Sequence, residues 1–175
     1  MRDASPLVTA VRDGWRLDND RLIAVLRPLT DAQLQLRPSP DHWAIWQLVS
    51  NIAGGRVFWL HDILGEGDDE LRDMFRVTAP TAPVPIEDAG WEDDEAHPRS
   101  AIELTDALAR TWQLVEDCLG RWSADDLAVV FRRPGGSVPI FTRAWVVWHL
   151  VEHDLQHGAE IALILRANGL PTFQL

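Results

Sequence analysis

The chain has 175 residues, of which 46% are hydrophobic, and this size predicts one domain, residues 1–175, with a sizeable core. Its formal net charge of −11 argues against nucleic acid as a partner, because binding to phosphate backbones requires a basic face. The single cysteine, Cys118, excludes an intrachain disulfide and a Cys-rich zinc cluster.

The N-terminal half predicts two long helices. A Ser-Pro pair at positions 5 and 6 is typical of a helix start and predicts a first helix over 6–29. Thr30 and Gln33 form a capping-box pattern, which predicts a short extra turn. A second helix is predicted over 43–64.

No apolar stretch approaches the roughly 20 residues that span a bilayer, and no signal peptide is predicted, so we expect a cytoplasmic protein without a membrane partner.

The segment 65–98 is acidic and rich in proline. It holds eleven Asp or Glu residues against two Arg, which is −9 of the net charge of −11. A segment of this length without a helical pattern predicts a long crossover, and such loops are usually functional or mobile.

The C-terminal half predicts two further helices. Ser100 and Glu103 form a capping box that opens a third helix, which ends at about Trp122. The stretch RRPGGSVPI predicts a turn or small hairpin. Thr142 caps a fourth helix that ends near residue 168. Four helices of about 20 residues predict an all-α four-helix bundle, in which the long crossover allows the second and third helices to run parallel.

Three histidines recur at every fourth residue of the fourth helix: His149, His153 and His157. At about 100° per residue, His153 and His157 fall within the apolar face and His149 lies at its edge. Burying polar rings there costs a few kcal/mol unless each finds a partner. Two interpretations stay open: the pair binds one cation, as in other helical metal sites, or both are core histidines bonded to neighbouring side chains.

Two stretches carry a resemblance to a known family. The sequence VVWHLVEHDLQHGAEIALILRANGLP resembles the last helix of the DinB/YfiT-like proteins, and WAIWQLVSNIAGGRVFWLHDILGEG resembles their second helix. The resemblance implies a four-helix bundle of up-down-down-up topology with a crossover between helices two and three. It also implies a divalent metal, zinc or nickel, bound by one ligand from the second helix and two from the fourth.

Carried over by position, the fourth-helix ligands match His153 and His157. The third ligand falls in VSNIAG, where the family usually has histidine and this chain has Asn51. An amide oxygen is a weaker ligand than imidazole for zinc or nickel. Three outcomes follow: Asn51 is a poor third ligand or holds a water, another group replaces it, or the metal is lost and the scaffold kept. The candidate replacements are His149, Glu160 and His61.

Asn51 lies on a helical stripe that also contains a glycine. Asn51 shares a helical stripe with Gly55, Phe58 and Asp62, and a glycine there allows another helix or a ligand to approach closely. His61 lies about 80° from Asn51, so we do not expect it to complete the same site.

Other polar residues have secondary roles in this interpretation. We expect Glu160, beside the histidine face, to orient a ligating imidazole. Cys118 has no basic neighbour in sequence that would make it a thiolate, so we expect it to be structural.

The resemblance implies a metal-dependent thiol transferase or isomerase, related to the mycothiol-dependent maleylpyruvate isomerase. Its partners would be a small-molecule thiol and an electrophilic substrate, and we expect a homodimer. A bound cation would polarise the thiol and favour its thiolate. The alternative is a non-catalytic bundle with a degenerate metal site that acts as a binding or dimerising protein, and Asn51 favours this alternative.

Overall fold

A computed structural model of the protein describes residues 6–81, 83–86, 89–132 and 140–173. Four long helices form a bundle, and three short helices connect them. Among the described residues, no helix is both long and apolar enough to cross a bilayer. The α-helices are α1 (Pro6–Leu26), α2 (Asp31–Leu34), α3 (Ile45–Val57), α4 (Asp69–Met74), α5 (Ala101–Arg121), α6 (Ala124–Leu127) and α7 (Arg143–Ala167).

The helix ends follow the predicted caps. Thr30, Ser100 and Thr142 each accept a hydrogen bond from the backbone N–H three residues further on. Gly169, just beyond α7, has a φ of +68°, a conformation that glycine adopts without steric cost. The predicted cap at Ser5 lies outside the described residues.

Side-chain contacts give the helix directions. Arg56 in α3 contacts Thr111 of α5. Glu66, nine residues beyond the end of α3, contacts Arg121 at the end of α5, so these two helices run parallel. Helix α3 also packs against α7, which runs antiparallel to it, and α1 packs against α5. The predicted all-α four-helix bundle with a crossover between its second and third long helices is confirmed.

The predicted turn or hairpin after α6 is a small antiparallel sheet. Strand β1 (Val130–Arg132) pairs with β2 (Ile140–Thr142), and Phe131 lies opposite Phe141. The turn itself, 133–139, lies outside the described residues. Phe141 is buried, so the sheet packs one aromatic side chain onto the bundle beside the start of α7.

The second long helix differs from the prediction in its last turns. The α-helical part ends at Val57, and a π-helical turn follows over Phe58–Ile63, in which the amide of Leu64 donates to the carbonyl of Trp59 at 3.2 Å. Such single π turns often occur at functional sites. This one lines the cavity described below.

The acidic crossover contains regular structure, although its sequence shows no helical pattern. It forms α4 and a 3-10 turn over Trp91–Asp93. Phe75 and Trp91 are buried with ring centroids 4.7 Å apart, and the Trp91 indole donates to the carbonyl of Met74 at 2.9 Å. A few large apolar residues therefore anchor the segment to the bundle, although its average composition is strongly charged.

Cys118 is buried in α5, as expected for a structural residue, although it does have a basic neighbour: the Nη2 atom of Arg121 lies 3.8 Å from its Sγ atom. Burial, with a smaller contribution from the Glu66 charge, raises the pKa of its thiol to about 12. Because the thiolate is the reactive form, we expect an aromatic disulfide reagent at pH 8 to label the folded protein at least about 100-fold more slowly than the chain in 8 M urea. Complete labelling of the folded protein within minutes would contradict this.

Candidate functional site

Antiparallel packing of α3 and α7 brings the three predicted ligands together. The Nε2 atom of His153 lies 2.8 Å from the Oδ1 atom of Asn51. The rings of His153 and His157 are 4.6 Å apart between centroids and nearly perpendicular, at 87°. Both rings are partly buried, with exposed side-chain fractions of 22% and 12%. The predicted set is thus one cluster, and its role in metal binding remains a prediction.

Gly55 makes room for the His153 ring. A Cβ atom at Gly55 would lie 3.1 Å from the Cε1 atom of His153, which is tighter than ordinary van der Waals contact. The stripe of Asn51 and Gly55 predicted a close approach, and the approaching group is the imidazole of α7.

A cavity of about 390 Å³ opens beside this cluster. All four residues of the predicted helical stripe, Asn51, Gly55, Phe58 and Asp62, line it. Its volume is at the lower end of the range for small-molecule sites. A larger groove of about 910 Å³ is lined by Trp43 and Glu160, but none of the histidines of α7 lines it. The smaller cavity is therefore the one that reaches the polar cluster. Its lining includes Asn51, Gly55, Phe58, Trp59, Asp62, Arg72, Phe75, Glu92, His149 and His153.

Glu92, from the crossover, contacts the cluster and was not identified from the sequence. The Nδ2 atom of Asn51 donates to its Oε1 atom at 2.6 Å. Burial raises the pKa of the Glu92 carboxyl, and the hydrogen bond from Asn51 opposes this effect. Eleven acidic residues share the segment 65–98, and none is distinguished by spacing. Only the neighbouring Trp91, a large apolar residue in a charged segment, indicated that this part of the crossover is held against the bundle.

A buried ion pair lies behind His153. The guanidinium of Arg56 donates to the Oδ2 atom of Asp154 from Nη2 at 2.7 Å and from Nε at 2.9 Å. The other oxygen, Oδ1, lies 3.6 Å from the Nδ1 atom of His153, and neither atom has a hydrogen-bond partner among the described residues. On the α7 wheel Asp154 lies within the apolar face, which is the signal that could have identified it. Further hydrogen bonds to the pair involve Trp15, Asn19, Thr111 and the carbonyl of Leu108.

Both ring nitrogens of His153 face oxygen atoms, and a neutral ring cannot donate a hydrogen bond to each of them. A neutral imidazole carries one N–H and one lone pair. The His153 ring nevertheless faces an oxygen at each nitrogen, Asn51 Oδ1 at 2.8 Å and Asp154 Oδ1 at 3.6 Å. A cation at Nε2 would resolve the conflict, because Asn51 would then become a ligand and Nδ1–H would point to the carboxylate, as in many histidine metal sites.

The three candidate ligands, His153, His157 and Asn51, suit a divalent ion, although Asn51 is the weakest ligand of the three. Two imidazoles suit zinc and nickel, whereas an amide oxygen is a poorer ligand for either. Within the described ranges, no three His, Cys, Asp or Glu side chains surround a common point. A third protein ligand would therefore have to come from Asn51, which stands where the family usually has histidine.

The other candidate ligands lie at different distances from the cluster. His149 stacks on Trp145, with ring centroids 4.9 Å apart, and lines the cavity. The Oε2 atom of Glu160 is 3.5 Å from the Nδ1 atom of His157, so Glu160 lies where it can orient that ring. His61 instead contacts Asp62 at 2.9 Å, away from the pair, as expected.

Two histidines of α7 have lowered pKa values. Burial is the main cause for both His149 and His157, and the charge of His153 adds to it. For His157 the carboxylate of Glu160 opposes the shift. In the folded protein both rings therefore release their protons at a lower pH than in the unfolded chain.

This difference predicts a pH dependence of stability. The pKa of a histidine in the unfolded chain is about 6.5. As the pH falls through this value, the unfolded chain binds more protons at these two positions than the folded protein does. We expect the free energy of unfolding to fall more steeply between pH 7.5 and 5.5 in the parent than in the variant H149Q/H157Q. The raised pKa of Glu92 has the opposite effect but is common to both proteins. Urea titrations with EDTA present would measure the slopes, and equal slopes would contradict the prediction.

Comparisons with known proteins agree with this architecture. The family model described as the DinB superfamily matches residues 15–161. A DinB-like protein from Bacillus cereus ATCC 10987 is 18% identical, with a TM-score of 0.65 over 94% of this chain and 95% of that chain. A conserved protein from Enterococcus faecalis is 16% identical, with a TM-score of 0.72 over 93% and 97%.

A third solved structure comes with a functional description. YfiT from Bacillus subtilis, described as a probable metal-dependent hydrolase with an unusual four-helix bundle topology, is 19% identical. Its TM-score is 0.54 over 98% of this chain and 93% of that chain. At these identities the three structures establish a common fold and nothing finer.

One curated protein matches over a part of its length. The mouse (Mus musculus) cytosolic endo-beta-N-acetylglucosaminidase is 25% identical over 173 residues, which is 93% of this chain. The chain spans only 23% of that protein's length. The family model, in contrast, covers most of the chain, and the three solved structures share its fold over 93% to 98% of it. The protein belongs to the DinB superfamily.

Proposed function

We propose that the protein binds a divalent metal ion, zinc or nickel, through His153, His157 and the side-chain oxygen of Asn51. The observation that carries the proposal is the 2.8 Å contact between Asn51 and His153 at the wall of a cavity. The His157 ring lies 4.6 Å from the His153 ring between centroids. The description of YfiT as a probable metal-dependent hydrolase supports metal dependence within this fold.

We further propose that the site activates a small thiol for transfer or isomerisation. A bound divalent ion would lower the pKa of a thiol or water placed beside it. The chain would support the ion in a further way. With Nε2 of His153 bound to a metal, the ring proton would lie on Nδ1, the side that faces Asp154 at 3.6 Å. Phe58, Trp59 and Phe75 give the cavity apolar walls suited to the carbon part of a thiol or an electrophile.

A second candidate function is a non-catalytic binding or dimerising bundle. One observation favours it: the side chain of Asn51 already has two hydrogen-bond partners, His153 and Glu92, without any ion. A bundle that had lost its metal would need such a replacement network to satisfy its buried polar groups.

Metal analysis of protein purified without a histidine tag separates the two candidates. We expect about one zinc or nickel per chain, and calorimetric titration of the chelator-treated protein should restore it. The variants H153A and H157A should lose binding, whereas H42A, which removes an exposed histidine, should not. A parent protein without measurable affinity for either ion would reject the metal proposal and leave the non-catalytic bundle.

Two adjacent glycines provide a matched test of the site geometry. A Cβ atom at Gly55 would press on the His153 ring at 3.1 Å, whereas one at Gly54 would make an ordinary 3.7 Å contact with Phe75. Because the same substitution is made on the same helix, any gain in helix propensity is similar for both. We expect zinc affinity to fall about tenfold or more in G55A and to stay unchanged in G54A. Equal affinities in calorimetric titration would show that the ring position does not matter.

A further inference from the structure

The side chain of Asn51 has two ends of similar shape but opposite hydrogen-bonding character. Its oxygen accepts hydrogen bonds and can bind a cation, whereas its NH₂ group only donates. Which end faces His153 therefore decides whether Asn51 supports a metal ion or blocks one. Neither the helix position nor the size of the residue determines this choice.

The orientation of the Asn51 amide is determined by its contact with Glu92, on the side away from His153. The Nδ2 atom lies 2.6 Å from the Oε1 atom of Glu92, and an ionised carboxylate only accepts hydrogen bonds. With the NH₂ group held by Glu92, the oxygen must face His153, where the distance to Nε2 is 2.8 Å. The reverse orientation would place the amide oxygen against a carboxylate oxygen.

The crossover holds Glu92 in place through contacts that need no metal. The side chain of Gln47 donates to the backbone carbonyl of Glu92 at 2.9 Å. The preceding Trp91 is buried and bonded to the carbonyl of Met74. Gly90 leaves the necessary space, because a Cβ atom there would collide with the Glu92 carboxylate. The carboxylate is thus positioned from helix α3 and from its own segment.

We infer that Glu92 is a positioning residue that turns the oxygen of Asn51 towards His153 and the candidate metal position. When ionised, its carboxylate also places a negative charge beside the candidate ligands, which favours a cation. The effect on metal binding rests on the proposed function, whereas the orientation of the amide does not. Glu92 would in this way compensate in part for the missing third imidazole.

The orientation has a consequence that can be measured without metal. With the oxygen facing it, a singly protonated His153 carries its proton on Nε2, because that contact has hydrogen-bond length and the one to Asp154, at 3.6 Å, does not. If the amide turned, its NH₂ would donate to Nε2. The proton would then move to Nδ1, on the side of Asp154.

Nitrogen-15 NMR of chelator-treated protein at pH 8 tests this directly. We expect the Nε2–H tautomer of His153 in the parent and a shift to Nδ1–H in E92L. The matched control E95L removes an exposed carboxylate from the same segment and should leave the tautomer unchanged. G90A is a second variant, which displaces the carboxylate without removing it, and it should shift the tautomer in the same direction. The same tautomer in the parent, E92L and G90A overturns the inference.

Zinc titration of the same proteins separates this inference from the proposed function. We expect E92L to bind zinc at least about tenfold more weakly than the parent, and E95L to bind like the parent. If the parent binds no zinc but the tautomer still shifts in E92L, the metal proposal is rejected and the positioning role is supported. Unchanged zinc affinity and an unchanged tautomer in E92L would reject the positioning role and leave metal binding intact.

Discussion

Removing one partner of the Arg56–Asp154 ion pair should destabilise the protein by about 3–5 kcal/mol, because the remaining charge stays buried without compensation. The exposed fractions are 1% for Arg56 and 8% for Asp154, so water cannot replace the lost partner without local unfolding. For a chain of this size, such a loss lowers the melting temperature by roughly 6–20 °C.

The hydrogen bonds around the pair explain why the effect should be large. Oδ2 of Asp154 accepts from Nε and Nη2 of Arg56 and also from the indole of Trp15 at 2.7 Å. The remaining nitrogen, Nη1, donates to Asn19 at 2.9 Å. The pair therefore connects α1, α3 and α7 at one point, and a change at either end leaves donors or acceptors of other helices unsatisfied.

Urea unfolding of R56M and D154N, with EDTA present, would measure the loss. The matched control is R76M, which removes an arginine from an exposed pair with Asp73 and should cost less than about 1 kcal/mol. The double variant R56M/D154N removes both charges and should lose less than the sum of the two single changes. A loss below 1 kcal/mol in both single variants would mean that the pair is not buried in solution.

The pattern of the sequence predicted the scaffold because each helix carries its own local signals. Thr30, Ser100 and Thr142 supply side-chain oxygens at the caps, and the observed helices begin there. The histidine pair was predictable for a similar reason. Its four-residue spacing and the apolar wheel are properties of one helix, so no long-range information was needed.

Contacts between distant segments were not predictable in the same way. Glu92 reaches Asn51 across 41 positions, and only the path of the crossover determines which acidic residue arrives there. The π turn after Val57 likewise depends on how the end of the helix packs, since six residues of ordinary composition do not specify it. Asp154 is an intermediate case, because its place on the apolar face was visible although its partner Arg56 was not.

The second large effect is a gain of metal binding in Asn51→His. The amide oxygen lies 2.8 Å from His153 Nε2, so an imidazole at position 51 would bring a third ring nitrogen to the same place. The adjacent cavity of about 390 Å³ leaves room for the larger side chain. Glu92, now bonded to the amide, could accept a hydrogen bond from the other ring nitrogen and fix the ring.

We expect Asn51→His to bind zinc or nickel at least about tenfold more tightly than the parent, because three imidazoles leave one position open, as in catalytic zinc sites. Its melting temperature should rise with metal concentration, since the ion binds the folded state. The control Asn51→His with His157→Ala should lose the gain. Equal affinity in the parent and Asn51→His would mean that position 51 does not face the pair, or that another residue already fills the third place. His153→Ala separates these cases: it abolishes binding where the third place is already filled, and changes nothing where the parent has no working site.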